Sequence, residues 1–362
     1  MTISVEEVLK ATGGELLHGE RGALFQGVCT DSRAVSEGEL FIALKGPRFD
    51  GHHFALDALR KRAGGVMIES DRAKEKTWNG TRGQAVIAVE DTLRALGDLA
   101  REKRRKHKTP VIALTGSNGK TTTKEMIAAC LETTRPVLKT EGNLNNLIGL
   151  PLTLLRLTER EKAVVLEMGM SVPGEIRRLT DIAEPDVGLI TNIHAVHLEG
   201  MGSLERVQEE KGELFRRMKR DGTILVNRDD PRVSVLAKEF SGRKRTFGVE
   251  GPADVMARGI RIKSGGTSFQ IVLGGGEEET EVTLPFLGRH FVLNALSAVA
   301  AATLLGVDLK KAKEALEHLR PSPMRMEIHP LGGGVTLIND TYNANPTSME
   351  WALRGRQKSP VV

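Results

Sequence analysis

TGSNGKTTTKEM, residues 115–126, is the stretch that decides the fold. The apolar run Val111-Ile112-Ala113-Leu114 precedes it, and Met126-Ile127-Ala128-Ala129 can continue it as a helix. A buried strand, a glycine turn and a helix start, in that order, make a phosphate cradle. The backbone N–H groups of the turn and of the helix N-terminus converge on anionic oxygens there. Thr115, Gly116, Ser117, Asn118 and Gly119 form the turn, and Lys120, Thr121 and Thr122 open the helix. Lys120 can neutralise β- and γ-phosphates, and the Thr121 hydroxyl can ligate Mg²⁺. The general pattern asks for a glycine five residues before Gly119, where Leu114 stands. The motif is therefore a shortened one, T-G-x-x-G-K-T, and it predicts a nucleoside triphosphate site.

Downstream of the loop, buried strands alternate with helices. Ala163–Leu166, Val187–Thr191 and Ile224–Val226 are apolar runs of strand length, and Lys124–Leu131, Gly174–Ile182 and Leu204–Met218 have helical spacing. That alternation is the pattern of a doubly wound, mainly parallel α/β sheet. Residues 254–287 alternate around glycine turns and predict an antiparallel extension, followed by helices over Val292–Leu305 and Leu309–Leu319. Upstream, residues 1–108 read as a smaller α/β unit ending in the long helix Leu93–Lys106, with Pro110 marking the boundary. The expected domains are 1–108, 109–322 and 323–362.

At 362 residues the chain is long enough for two or three cores. Aromatic residues make up only 4%, which argues against stacking platforms for single-stranded nucleic acid. The basic run Arg101 to Lys108 reads as the solvated end of a helix, and the net charge of +5 suits phosphate-bearing substrates. Cys29 and Cys130 are too far apart in sequence for a disulfide framework or CxxC zinc spacing, and they fit a reducing compartment. The N-terminus lacks a signal-peptide pattern, and no apolar run reaches the ~18 residues of a membrane span. The expectation is a soluble cytoplasmic protein.

Further residues fit one site with the loop. Glu167 ends a strand, where open α/β sheets bind ligands. His194 and His197 follow another strand; lone loop histidines are more often structural, but beside Glu167 and a phosphate loop a metal-ligand role is favoured. Lys211, in QEEKGELF, reads by itself as a solvated lysine among glutamates. Asn294, polar in an apolar helix, is either a satisfied buried amide or an adenine reader.

Taken in order, these motifs resemble the Mur ligases, the ATP-dependent amino-acid-adding family of peptidoglycan synthesis, over residues 25 to about 350. The resemblance implies magnesium-binding roles for Thr121, Glu167 and His197, and a carbamylated Lys211 as a further anionic ligand. It implies adenine reading by Asn294 and places Arg325 at the hinge to a third domain. The runs TEGNLNNLIGLPLTLL (140–155), EMGMSVPGEI (167–176) and NDTYNANPTSM (339–349) are similar to the branch of the family that adds D-alanyl-D-alanine to UDP-N-acetylmuramoyl-tripeptide. TDSRAVSEGELFIALKGPRFDGHHF (30–54) resembles its UDP-binding module, with Ser32 and Arg33 as nucleotide contacts. Asn143, Asn145 and Asn146 would face the muramyl peptide.

The implied cofactors are ATP and Mg²⁺, the implied partners those two substrates, and the implied state a monomer without nucleic acid or membrane insertion. Lys120, Glu167, His197 and Lys211 form the implied catalytic set. Three features depart from the family. His194 stands where a small residue is expected, and Phe291 where many relatives have asparagine. The third, Rossmann-like C-terminal domain is expected to be mostly absent, by about 100 residues, the size of an ordinary domain. The alternative reading is therefore an incomplete fragment of such a ligase that only binds UDP-muramyl precursor, ATP or both.

Overall fold

The computed structural model describes residues 2–74, 83–196, 198–263, 266–276, 278–331 and 335–350. The chain divides into two units, Met1–Lys108 with Glu141–Arg160, and Thr109–Thr140 with Glu161–Val362.

The first unit is built on a five-stranded sheet in the order Glu15–His18, Ala85–Val89, Gly65–Glu69, Leu40–Ile42, Val28–Cys29. All neighbours are parallel except Glu15–His18, which runs antiparallel to Ala85–Val89. Strands Ala85–Val89 and Gly65–Glu69 are continuous apolar runs, as inner parallel strands covered on both faces must be. Phe41, Val66, Ile68 and Val86 pack with Ala55, Ala58 and Leu59 to form a core on this sheet. Helix Val5–Thr12 starts at Ser4, whose hydroxyl accepts the Glu7 N–H while the Glu7 carboxylate takes the Ser4 N–H. Helix Thr92–Arg105 packs against the short helix Gly149–Leu155, which the chain supplies only after leaving this unit and returning.

The second unit carries a sheet with nine strands among the described residues. Its order is Val137–Lys139, Ala163–Glu167, Val111–Thr115, Val187–Ile190, Thr223–Asn227, Arg243–Gly248, Val255–Lys263, Gly266–Leu273, Glu278–Leu284. The first seven are parallel and the last two close the edge as an antiparallel meander. The expected α/β fold, with a mainly parallel sheet and an antiparallel extension, is what the structure shows. Val111–Thr115 lies between Ala163–Glu167 and Val187–Ile190, where the strand order reverses, and ligands bind at such switch points. Helix Arg289–Leu304 packs closely on helix Lys120–Glu132, helped by its run of buried alanines Ala298, Ala300, Ala301 and Ala302. Together with Leu309–Glu317 these helices cover the core of Ile112, Leu114, Ile127, Val165, Leu225 and Phe247.

Several described elements lie outside the sequence reading, Val137–Lys139 and Pro231–Lys238 among them. Val137–Lys139 has only three residues, and Pro231–Lys238 opens on a proline that occupies the first helical turn behind the Asp230 cap. Beyond Arg325, Glu327–Leu331 pairs antiparallel with Val335–Asn339. The tail WALRGRQKSPVV lies outside the described residues.

Candidate active site

The phosphate loop leaves the sheet at Thr115, whose hydroxyl donates to the Met168 carbonyl at 2.9 Å. Gly116 has φ +154, and a Cβ there would overlap the Thr191 hydroxyl, so only glycine fits. Residues distant in sequence then hold the Ser117 and Asn118 peptides of the turn. Asn192 clasps the Asn118 peptide from both sides, its Oδ1 accepting the N–H at 2.9 Å and its Nδ2 donating to the carbonyl at 3.1 Å. Thr191 Oγ1 donates to the same carbonyl at 2.7 Å. The Ser117 N–H donates to the Asn192 carbonyl at 3.0 Å, and its hydroxyl exchanges two bonds with the His194 backbone. Gly119, with φ +78, begins helix Lys120–Glu132 in a left-handed conformation.

Two lysines converge on one atom. Lys120 Nζ lies 2.9 Å and Lys211 Nζ 3.0 Å from the Gly116 carbonyl oxygen. Lys211 is 1% exposed, and its pKa falls well below the usual lysine value, first because burial disfavours the charge and then because Lys120 repels it. Burial also lowers Lys120, with Glu167 opposing and Arg325 adding to the shift. Glu167, 2% exposed, ends strand Ala163–Glu167, and its N–H donates to Thr140 Oγ1 at 3.0 Å. Arg325 Nη2 donates to Thr121 Oγ1 at 3.2 Å while its guanidinium lies 4.2 Å above the Tyr342 ring. The Asn118 side-chain oxygen accepts from Asn345 Nδ2 at 2.6 Å, and the buried Asn118 Nδ2 has no acceptor among the described residues. Lys120, Lys211 and Arg325 thus surround a loop already built to hold an anion.

A cavity of about 980 Å³ adjoins the loop, lined among others by Gly119, His194, Asn227, Asp230, His290 and Asn294. Asn294, near the start of helix Arg289–Leu304, is mostly buried, and its amide sits against Gly119. The volume is within the range of small-molecule and cofactor sites, about 300–1,000 Å³. Burial pushes His290 down to about 4 and lowers His194, for which Asp230 opposes the shift. Phe291 does not face an amide role at all: it is buried and stacks on Phe286 at 4.7 Å.

His197 lies outside the described residues. No group of three or more His, Cys, Asp or Glu among the described residues gathers as a metal cage. The donors present nonetheless suit Mg²⁺, a hard cation that takes one or two carboxylates and completes its shell with substrate phosphates and water. Thr121 Oγ1 and the buried Glu167 carboxylate, both in this unit, are oxygen donors of that kind.

The remaining expected contacts belong to the first unit. Arg33 forms a two-pronged pair with Asp31, at 2.9 and 2.7 Å, and its hydrogen bonds hold the Asp31 carboxyl down at about 2. The Ser32 carbonyl accepts from Lys61 Nζ at 2.9 Å. Asn146 Oδ1 accepts the N–H groups of Ile148 and Gly149, so its oxygen caps the start of helix Gly149–Leu155. The Asn143 carbonyl accepts the Asn145 N–H at 2.7 Å. Sequence reasoning missed Asn192, Thr191, Thr140 and Asn345. Thr191 and Asn192 do stand just beyond a strand end, the one signal that could have found them.

A strand, a glycine turn gathering two lysines and a nucleotide-sized cavity define an α/β phosphate-loop protein. Within that class the chain belongs to the Mur ligase family. It matches the Mur ligase middle domain over residues 114–302 and the Mur ligase family catalytic domain over residues 24–104. It is 40% identical to the UDP-N-acetylmuramoyl-tripeptide--D-alanyl-D-alanine ligase of Bacillus subtilis, over 97% of this chain and 74% of that one. Among solved structures it is similar to MurF from Acinetobacter baumannii, with TM-score 0.90 and 34% identity, covering 99% of this chain and 77% of the other. A MurF ligase from Thermotoga maritima in complex with ADP matches with TM-score 0.82 and 33% identity, covering 92% and 75%.

Proposed function

We propose that this chain uses ATP to join the amine of D-alanyl-D-alanine to the terminal carboxylate of UDP-N-acetylmuramoyl-tripeptide. The observation that carries phosphoryl transfer is the convergence of Lys120 and Lys211 on the Gly116 carbonyl, within electrostatic reach of buried Glu167. The substrates rest on the relatives of that name.

In the reaction, the tripeptide carboxylate attacks the γ-phosphorus of ATP, ADP leaves, and an acyl phosphate forms. The amine then attacks the acyl carbon through a tetrahedral intermediate, losing a proton and expelling phosphate. Loop N–H groups and Lys120 offset charge on the transferred phosphoryl group, in a site where desolvation makes each interaction stronger. Bound Mg²⁺ would add further compensation of phosphate charge, held by Thr121 and Glu167, with His197 and Lys211 as additional ligands. Asn294 reads adenine in the cavity beside Gly119, and Arg325 reaches the phosphates from the segment that follows.

Lys211 takes a carbamate in this reading. Its neutral amine adds to CO₂, forming an N–C bond and releasing one proton, and an anion then stands beside Lys120 in place of a neutral amine. A ¹³C carbamate resonance, present in the unaltered chain and absent in Lys211→Ala, tests that step. Ser32 and Arg33 hold the uridine diphosphate, and Asn143, Asn145 and Asn146 the muramyl peptide. Of the expected domains, we assign 1–108 to the precursor together with the returning segment Glu141–Arg160, the rest of 109–322 to ATP, and 323–362 to the opening of a third domain. ATP supply places the protein in the cytoplasm.

The full chain incubated with ATP, Mg²⁺ and both substrates should yield UDP-muramyl-pentapeptide by mass spectrometry. Precursor binding without product would favour a binding-only fragment.

A further inference from the structure

Lys124 presents a problem that phosphate binding does not solve. Its side chain is 1% exposed, and a buried ammonium is costly unless its bonds do something. One helical turn beyond Lys120, it shares that residue's face of helix Lys120–Glu132 but reaches a different target. Nζ lies 2.6 Å from the Thr140 carbonyl and 3.1 Å from Glu125 Oε1. Glu125 turns its other oxygen to Lys139, at 2.6 Å.

Thr140 is fully buried and uses every polar group it has. Its N–H donates to the Val165 carbonyl at 3.0 Å, its carbonyl takes the Lys124 ammonium, and its hydroxyl accepts the Glu167 N–H at 3.0 Å. Strand Val137–Lys139 pairs with Ala163–Glu167 only as far as Lys139 opposite Val165. The Thr140 hydroxyl therefore supplies, from a side chain, the acceptor that a longer strand would have given to Glu167.

We propose that Lys124 and Thr140 are positioning residues that fix the Glu167 carboxylate for the cation accompanying the nucleotide. The helix that places Lys120 against the phosphates thereby also places, through Lys124 and Thr140, the carboxylate on the neighbouring strand. One rigid element sets both charges. This inference rests on the role given to Glu167 under the proposed function.

The test is Mn²⁺ titrated into the full chain with a non-hydrolysable ATP analogue and followed by electron paramagnetic resonance, with thermal melting alongside. Thr140→Val removes the acceptor while keeping the shape, and Thr140→Ser restores it. Lys124→Met removes the ammonium. Thr140→Val and Lys124→Met should each weaken nucleotide-dependent Mn²⁺ binding about ten-fold, the usual cost of losing a group that orients a metal ligand, while Thr140→Ser stays within about two-fold. Should Lys124→Met not fold, Thr140→Val decides. If Thr140→Val takes up Mn²⁺ as tightly as the unaltered chain, the inference is overturned even where the melting temperature drops. If the unaltered chain itself shows no nucleotide-dependent Mn²⁺ uptake, the functional reading fails first and carries this inference down with it.

Discussion

The phosphate loop and the Asp31–Arg33 turn are both short polar segments to which the proposed function gives a ligand-binding task, and they are built in opposite ways. In the loop, Asn118 is bonded by Thr191 and Asn192, and Ser117 by Asn192 and His194, all more than seventy residues away. In the turn, Arg33 is held by Asp31, two residues away, and its side chain is exposed. The first is preorganised, so that donors stand in place before the anion arrives. The second can let go of its internal pair and re-form it on a ligand phosphate. Charge development in a transition state rewards the former, and capture of a large flexible substrate tolerates the latter.

Substitutions should break this contrast in a graded way. Lys120→Ala should lower turnover by about 10³-fold or more, measured as ADP release with all substrates present. Near-normal turnover would remove the loop from the chemistry altogether. Gly116→Ala forces a Cβ against Thr191 and should cost about 1–3 kcal/mol of stability, read by denaturant unfolding, together with loss of ATP-analogue binding. Asn192→Ala leaves the Asn118 N–H without its acceptor and its carbonyl with the Thr191 hydroxyl, for about 1–3 kcal/mol and weaker nucleotide binding by calorimetry. Arg33→Ala, by contrast, should leave the melting temperature unchanged and weaken precursor binding only, because the pair it breaks is exposed.

Acid should separate the same two regions. His290 in the cavity is held at about 4, below its free value of 6.5. The unfolded chain therefore binds the extra proton between those values, so this contribution is complete above about pH 6.5 and is lost as pH falls toward 4. Asp31 is held at about 2 against a free value of 3.8, so the turn keeps its pair until the pH falls below that window. Melting curves from pH 7 to 4 should show a slope that His290→Gln flattens and Asp31→Asn does not.

What could be read in advance follows the same division between local and distant. The strand, glycine turn and helix of residues 111–132 are specified by adjacent residues, and so is the antiparallel edge with its glycine turns. Asn192 looked like any loop asparagine because the peptide it holds lies 74 residues earlier. Lys211 reads by itself as a solvated lysine, yet the structure buries it at 1% exposure beside Val207, Leu214 and Phe215 of its own helix, and Lys124 is buried as deeply. The spacing of Lys124 to Ile127, Ala128 and Leu131, all buried, is the signal that its face points inward. Asn146 was legible as polar but not as a cap, since the helix it starts is only seven residues long.

The excursion of Glu141–Arg160 into the first unit bears on how the chain is made. Residues 1–108 leave the ribosome without helix Gly149–Leu155, which packs on Thr92–Arg105, so that unit cannot finish folding until residue 160 has emerged. The second unit's edge strand, Val137–Lys139, is by then already synthesised, yet it has no neighbour until Ala163–Glu167 follows. Each unit must therefore wait on the other's sequence during translation. A cut of the gene at residue 108 would leave the first unit without Glu141–Arg160 and strand that segment on the second piece.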